Sequence, residues 1–351
     1  MPNPYEALTA KCRAMMAHLL SPDDYAELEK KKTVPEAAAF LGMFPPYAAL
    51  LAEEDLTRIT RARLEHLLER NLFETYVKLY RFTSGSQRKF FSLLISEFEL
   101  YYILRAIRSA VSGAMPADML VPDFLQRHSA IDFGALSAAS EPHEIVTAVK
   151  GSRFEIPVRR LLLESSASAA VDYAEVENLL YNGYYQELCT RYARTLGGDD
   201  GALLRDVIQT KADLTNISRV IRIVRLAEGT GAPPPEYAEV KKYLLTVRKK
   251  LRPADIEQLL RRRTAAEIVA YCTKLYPALG GILSVDTADG DYFSNFMNIY
   301  AKKLVRRPIP SLMIPFGYLT LREYEIENIV YIIEAIRYQL PPAAMERSII
   351  L

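Results

Sequence analysis

Apolar positions along this chain return every three or four residues. Leu100, Ile103, Leu104, Ile107 and Val111 fall on one side of a helix, as do Leu214, Ile217, Ile221 and Val224, and again Ile326, Ile329, Val330 and Ile333. Runs alternating with a period of two are absent, and long stretches are rich in Ala, Leu, Glu, Arg and Lys, which favour helix. Pro and Gly gather between these stretches, as in Gly229–Pro235 and Leu340–Pro342. The pattern predicts an all-α protein.

The three apolar stripes share a motif. Glu99, Asp213 and Glu325 each precede an aliphatic residue, and Ile stands four and eight residues after each carboxylate. A second motif recurs upstream. Leu20–Glu36 and Leu251–Glu267 align without a gap, matching at Leu, Pro, Asp, Leu, three basic residues, Thr and Glu; a weaker copy runs from Asp132 to Glu144. Twelve residues separate Asp24 from Glu36, Asp132 from Glu144 and Asp255 from Glu267. A looser middle helix lies between the motifs, at Leu64–Leu68, Val176–Leu180 and Tyr292–Phe296. The order holds in all three copies, so the chain reads as three diverged helical repeats, residues 1–113, 114–230 and 231–351. A period near 110 residues exceeds the familiar solenoid repeats, so each copy is domain-sized. Three such units form either a row or a closed pseudo-threefold arrangement, the latter leaving a space on its axis for an axial partner.

Composition agrees with a well-packed chain: half of the residues are hydrophobic and a quarter charged. Lys plus Arg number 44 and Asp plus Glu 43, a balance that argues against nucleic acid or anionic lipid as the main partner. No apolar run approaches the roughly 18 residues of a membrane span, and Met1–Glu6 lacks the basic and apolar pattern of a signal peptide. The expectation is a peripheral protein. Cys12, Cys189 and Cys272, odd in number and far apart, suit buried thiols in a reducing compartment.

Candidate chemistry is sparse. No phosphate-binding Gly-x-x-x-x-Gly-Lys-[Ser/Thr] loop occurs. His143-Glu144 lacks a second His for a helical zinc site, and His18, His66 and His128 are scattered. Asp199-Asp200, among glycines, reads as a polar turn, and Asp286–Asp291 as a loop without the full calcium pattern. Glu99, Asp213 and Glu325 invite a proton-transfer reading, but acidic residues near helix starts more simply satisfy free N–H groups. Asn216 and Asn328 are expected to make buried hydrogen bonds that fix packing. Leu312–Phe316, flanked by Pro308, Pro310 and Pro315, reads as a packing segment. The most basic region comprises Lys241, Lys242, Arg248, Lys249, Lys250, Arg252, Arg261, Arg262 and Arg263. It is either a solvated helix face or a surface meeting acidic groups on a partner. Tyr243 is the one aromatic within it, too few for stacking on bases. No catalytic, cofactor-binding or metal-ligating residue is assigned.

Several stretches resemble the C subunit of the V-type and archaeal-type ATPases, whose eukaryotic counterpart is the d subunit. They are Tyr5–Leu20, with Arg13-Ala-Met and a Leu-Leu pair; Thr33–Leu51, with Tyr47 before Leu50-Leu51; and the acidic–aliphatic–Asn–Ile elements at Asp213–Ile217 and Glu325–Ile329. The resemblance spans essentially the whole chain and its tripartite plan. Tyr102 departs from it where later copies carry Asn216 and Asn328, and Val330 stands where a basic residue is expected. The resemblance implies a funnel-shaped, non-catalytic central-stalk subunit on the cytoplasmic face of a membrane. It would couple the rotating shaft subunits to the membrane rotor ring, in support of ATP-driven or ATP-yielding ion transport, without nucleotide or cofactor. A general helical scaffold is the alternative, and an all-helical enzyme with converging carboxylates a third.

Overall fold

A computed structural model describes residues 5–113, 119, 121–164, 172–196, 198–262, 264–283, 292–340 and 349–350. Among these the chain is helical and contains no strand. In order the helices are α1 (Glu6–Met16), α2 (Pro22–Glu29), α3 (Val34–Leu41), α4 (Pro45–Leu51), α5 (Arg61–Tyr80), α6 (Gly85–Ser112), α7 (Asp123–His128), α8 (Phe133–Ala138) and α9 (Pro142–Ala148). There follow α10 (Glu155–Arg159), α11 (Tyr173–Glu187), α12 (Ala193–Leu196), α13 (Gly198–Thr230), α14 (Tyr237–Val240), α15 (Pro253–Leu260), α16 (Ala265–Leu275), α17 (Tyr292–Val305) and α18 (Met313–Arg337). The chain divides into two compact units, Met1–Phe91 with Met297–Leu351, and Ser92–Phe296. The boundaries fall within α6 and α17.

The first unit is organised around α18. This helix is buried on nearly all sides, as a helix enclosed by others is. Its Ile326, Ile329, Ile332, Ile333 and Ile336 share one core with Tyr25 and Leu28 of α2, Leu41 of α3, Tyr47 and Leu51 of α4, and Leu64, Leu67 and Leu68 of α5. The expected packing segment supplies the first turn of α18, with Leu312, Met313, Ile314 and Phe316 buried. Gly317 permits close passage of the end of α17: a Cβ there would lie 2.9 Å from Leu304 Cβ and 3.0 Å from the Ala301 carbonyl oxygen.

In the second unit α13 plays the same part. Leu204, Val207, Ile208, Leu214, Ile217, Ile221 and Val224 are all buried along it. α11 continues through a π-helical turn, Leu188–Tyr192, into α12, and the chain reverses at Gly198, whose φ of +47° suits a residue without a side chain. Gly201 then meets the preceding helix so closely that a Cβ would overlap the Ala193 carbonyl oxygen. Asp199 and Asp200 lie in the first turn of α13 and not in a polar turn, because acidic side chains complement the free N–H groups there.

The helix starts explain the recurrent spacing. Ser21 caps α2 by accepting from the Asp24 N–H at 3.2 Å, while Asp24 accepts from the Ser21 N–H at 2.8 Å. Asp255 repeats that second bond with the Arg252 N–H at 2.9 Å. Glu36, Glu144 and Glu267 all occupy the third position of the helix that follows, in α3, α9 and α16. Asp132 differs from its aligned partners: it is itself the cap of α8, accepting from the Ala135 N–H at 2.9 Å. The aligned Asp therefore has a different role in the middle copy, where α8 has six residues against eight in α2 and α15.

Candidate functional site

The three motif carboxylates do not sit near helix starts. Glu99, Asp213 and Glu325 lie in the interiors of α6, α13 and α18, where the helix N–H groups are already bonded to the preceding turn. Each instead faces the short segment that leads into the first helix of the aligned motif in the following copy, α8, α15 or α2.

Glu325 accepts from the Leu20 N–H at 2.8 Å, directly before the Ser21 cap. It also accepts from the Tyr47 hydroxyl at 2.5 Å and pairs with the Arg322 guanidinium one turn earlier. Arg322 is 1% exposed, and its remaining bonds run to the Tyr47 oxygen at 2.7 Å and Asn71 Oδ1 at 2.5 Å. Asp213 repeats the arrangement. Its Oδ2 accepts from the N–H groups of Lys249 (3.1 Å), Lys250 (2.8 Å) and Leu251 (3.2 Å), and from the Tyr276 hydroxyl. Leu251 stands directly before Arg252, at the position Leu20 holds before Ser21. In the middle copy a hydroxyl is interposed. Ser129 Oγ accepts from the Ile131 N–H at 3.1 Å and hydrogen-bonds to Glu99, and Ile131 directly precedes the Asp132 cap. Leu20, Leu251 and Ile131 are all buried.

Burial pushes the pKa of all three carboxylates above the usual range. Arg322 and then the Tyr47 hydroxyl oppose this at Glu325. At Asp213 the loop N–H groups and Tyr276 do so, and Ser129 and then Arg153 at Glu99. Each acid has its own partners, and among the described residues no group of His, Cys, Asp and Glu is disposed to hold a metal ion. His18, His128 and His143 are exposed, with the His128 ring stacked on Phe124, and His66 is half-buried. Cys12, Cys189 and Cys272 are free and buried, as their spacing suggests.

The two asparagines form a second matched pair. Asn216 Nδ2 donates to the Leu245 carbonyl at 2.9 Å, and its Oδ1 accepts from the Leu245 N–H at 2.8 Å. Asn328 makes the same two bonds, at 2.9 and 2.8 Å, with Ile350. Both are buried, as the sequence leads one to expect. Tyr102, the departure in the first copy, instead packs edge-on against Phe133.

The basic region is not a helix face. α14 ends at Val240, a 3₁₀ turn covers Lys241–Tyr243, and the chain then runs without helix to α15. Side-chain amides explain why. Asn178 donates to the Lys242 carbonyl at 2.8 Å and the Leu244 carbonyl at 3.0 Å, and Asn182 accepts from the Thr246 N–H at 2.7 Å. Arg219 donates to the Tyr243 carbonyl at 2.7 Å and to Asn178 Oδ1 at 2.6 Å. With Asn216 they satisfy backbone groups that a helix would otherwise pair internally. Nothing in the local pattern marked Asn178, Asn182 and Arg219; they lie on α11 and α13, far from the segment in sequence.

The cations divide accordingly. Lys242 pairs with Asp172 (3.0 Å) and Glu175 (3.1 Å), Lys249 with Asp206 (2.6 Å), and Arg252 with Asp255 (3.1 Å). Lys250 lies over the Tyr276 ring and Arg262 over Tyr271. Lys241, Arg248 and Arg261 are exposed, without an ion pair among the described residues. Arg263, like the acidic run Asp286–Asp291 and Pro341-Pro342, lies outside the described residues.

A profile of the family described as ATP synthase (C/AC39) subunit matches residues 8–348. A protein of Pyrococcus furiosus, named as the C subunit of the A-type ATP synthase, is 25% identical over 221 residues, a match covering 62% of this chain and 56% of that protein. The protein of the same name from Pyrococcus horikoshii is 25% identical over 359 residues, 99% of this chain and 90% of that one. That from Archaeoglobus fulgidus is 22% identical over 354 residues, 98% and 95% of the two chains.

Proposed function

The chain belongs to the ATP synthase (C/AC39) subunit family, and on that premise we propose that it is a non-catalytic subunit of a rotary A/V-type ATP synthase or ATPase, coupling the central shaft to the membrane rotor ring. The observation that carries this reading is the family match over nearly the whole of an all-helical chain. Among the described residues no helix is long and apolar enough to cross a membrane, which is compatible with a peripheral place in a membrane-bound complex, at its cytoplasmic face.

A coupling part has to transmit force without yielding. The three carboxylate contacts support that role. Glu99 of the first sequence copy reaches the lead-in of the second, Asp213 of the second reaches that of the third, and Glu325 of the third reaches that of the first. This order follows the proposed repeats at 1–113, 114–230 and 231–351, each tied to the start of the next and the third to the start of the first. Lys241, Arg248 and Arg261, having no ion pair among the described residues, are the cations of the basic region best placed to meet acidic groups on a partner.

The test is reconstitution. The purified chain is mixed with the shaft subunits and, separately, with the detergent-solubilised rotor ring of a relative. Association with both is expected. Failure to bind either, where the relative's own family member binds under the same conditions, refutes the proposal.

A further inference from the structure

The matched asparagines suggest a binding function for one of them. On α13 the segment held by Asn216 lies mid-chain, and Asn178, Asn182 and Arg219 hold its neighbours as well. On α18 the segment is Ile349–Ile350. Asn328 gives it the same two backbone bonds, and Ile349 packs on the core shared by α18 and α2–α5. The two slots stand in the same relation to their carboxylates, since Asn216 is three residues after Asp213 and Asn328 three after Glu325.

The segments that fill them differ in origin. Leu245 lies six residues before Leu251, whose N–H Asp213 accepts. Six residues before Leu20 is Ala14, which lies inside α1, where its N–H and C=O belong to the helix. A helical residue cannot present both groups to an amide side chain. The slot beside Glu325 therefore takes its extended residue from elsewhere in the chain.

We infer that the face of α18 around Asn328 is a receptor for an extended apolar peptide segment, that Ile349–Ile350 is its resident ligand, and that the same sequence supplied in trans exchanges with it. Recognition has two parts. The Asn328 amide reads the N–H and C=O of one residue, as a neighbouring strand would, and the apolar surface of α18 takes the preceding aliphatic side chain. The Tyr25 hydroxyl also bonds Asn328 and holds the amide from the α2 side. A helix cannot bind there, because its N–H groups are already used, and a segment with Pro at the read position lacks the donor.

The probe is a fluorescein-labelled peptide of residues Met345–Leu351, followed by anisotropy. A chain ending at Arg347 is expected to bind it at least tenfold more tightly than the full chain, whose slot is filled. The I350P peptide is expected to bind at least tenfold more weakly, as is the N328A version of the shortened chain. Equal binding by shortened and full-length chains, or equal binding of the I350P and unaltered peptides, overturns the inference. Should the shortened chain not fold, hydrogen exchange on the full chain decides. The Ile350 amide is expected to exchange at least tenfold more slowly than in the free peptide, and to lose that protection in N328A while the Ile329 and Ile333 amides keep theirs. Exchange of Ile350 at the free-peptide rate in the unaltered chain refutes the proposal.

Discussion

The Arg322–Glu325 pair offers the sharpest test of how the first unit is held. Both side chains are almost wholly buried, and Glu325 also accepts from the Leu20 N–H and the Tyr47 hydroxyl. Removing one member of a buried pair leaves the other charged without a partner, at a cost of about 3–5 kcal/mol. Glu325→Gln removes the charge, keeps one acceptor oxygen for the Leu20 N–H and turns its NH2 toward the Tyr47 oxygen, so its cost falls at the lower end, about 3 kcal/mol. Arg322→Met strands the carboxylate and leaves Asn71 Oδ1 unbonded by Arg322, for about 4 kcal/mol. Changing both removes both charges, keeps the Leu20 bond and reverses the Tyr47 one, with the amide donating to the Tyr47 oxygen, so the double variant loses only about 1–2 kcal/mol. The coupling in this cycle is then about 5–6 kcal/mol, far beyond the roughly 0.5 kcal/mol scatter of independent sites. The chain has no Trp, so urea unfolding is followed by circular dichroism at 222 nm. Single losses that simply add, within that scatter, would refute the claim that the pair acts as one buried unit.

Asp213 carries a pH test. Burial holds its pKa above the unfolded value of about 3.9. The folded chain therefore keeps a proton that the unfolded chain has released. This contribution to stability is full below the unfolded value and is lost as pH rises through the folded one. Relative to D213N, the unaltered chain loses stability between pH 4 and pH 7, measured by urea midpoints; a relative gain would refute the assignment. G201A places a methyl group against the Ala193 carbonyl and should cost about 2 kcal/mol or more; a loss below about 0.5 kcal/mol, on the scale of an exposed position, would show that this helix contact is loose. Burial pushes the Cys12 and Cys272 thiols up to about 12 and Cys189 up to about 11, so none should react with a disulfide reagent at pH 8 until urea is added. Prompt reaction of one thiol in the folded chain would show that its helix opens. K241E, R248E and R261E together should slow association with the shaft or ring at low salt and leave the circular dichroism spectrum unchanged; an unaltered association rate would remove these residues from the contact.

What the sequence made legible, and what it hid, follows from the range of the interactions. Glu36, Glu144 and Glu267 are readable because a cap bonds within three or four residues, and such geometry leaves a local signature. The apolar stripes on α6, α13 and α18 are readable because helix periodicity is local as well. The carboxylates were visible as a pattern but not as a function. An acid at Glu325 that bonds the N–H of Leu20 looks in sequence like any acid in a helix, since its partner lies 305 residues away. The same holds for the segment after Lys241. Its charge suggested an exposed helix face, whereas amide side chains on α11 and α13 decide its course.

The middle copy shows which part of the device is constrained. There α8 is shortened and the aligned Asp moves from third position to cap, and on α6 of the first copy, which reaches it, Tyr102 stands in place of Asn, yet the link from Glu99 to the lead-in survives through the Ser129 hydroxyl. A serine hydroxyl both donates and accepts, so it can stand between a carboxylate and an N–H without leaving either unbonded. What the three copies share is therefore not a set of side chains. It is a mid-helix acid held by the chain just before the following capped helix. Such a contact is directional and buried, so one helix cannot slide along the next without stripping a carboxylate of its donors. A rigid coupling element needs that resistance, and packed aliphatic side chains, which interlock by shape alone, supply less of it along the helix axis. On this argument S129A should loosen the middle link alone. Faster hydrogen exchange is expected at the Ile131 amide, with the Leu20 and Leu251 amides unchanged. Equal acceleration at all three would mean that the links are not local clasps.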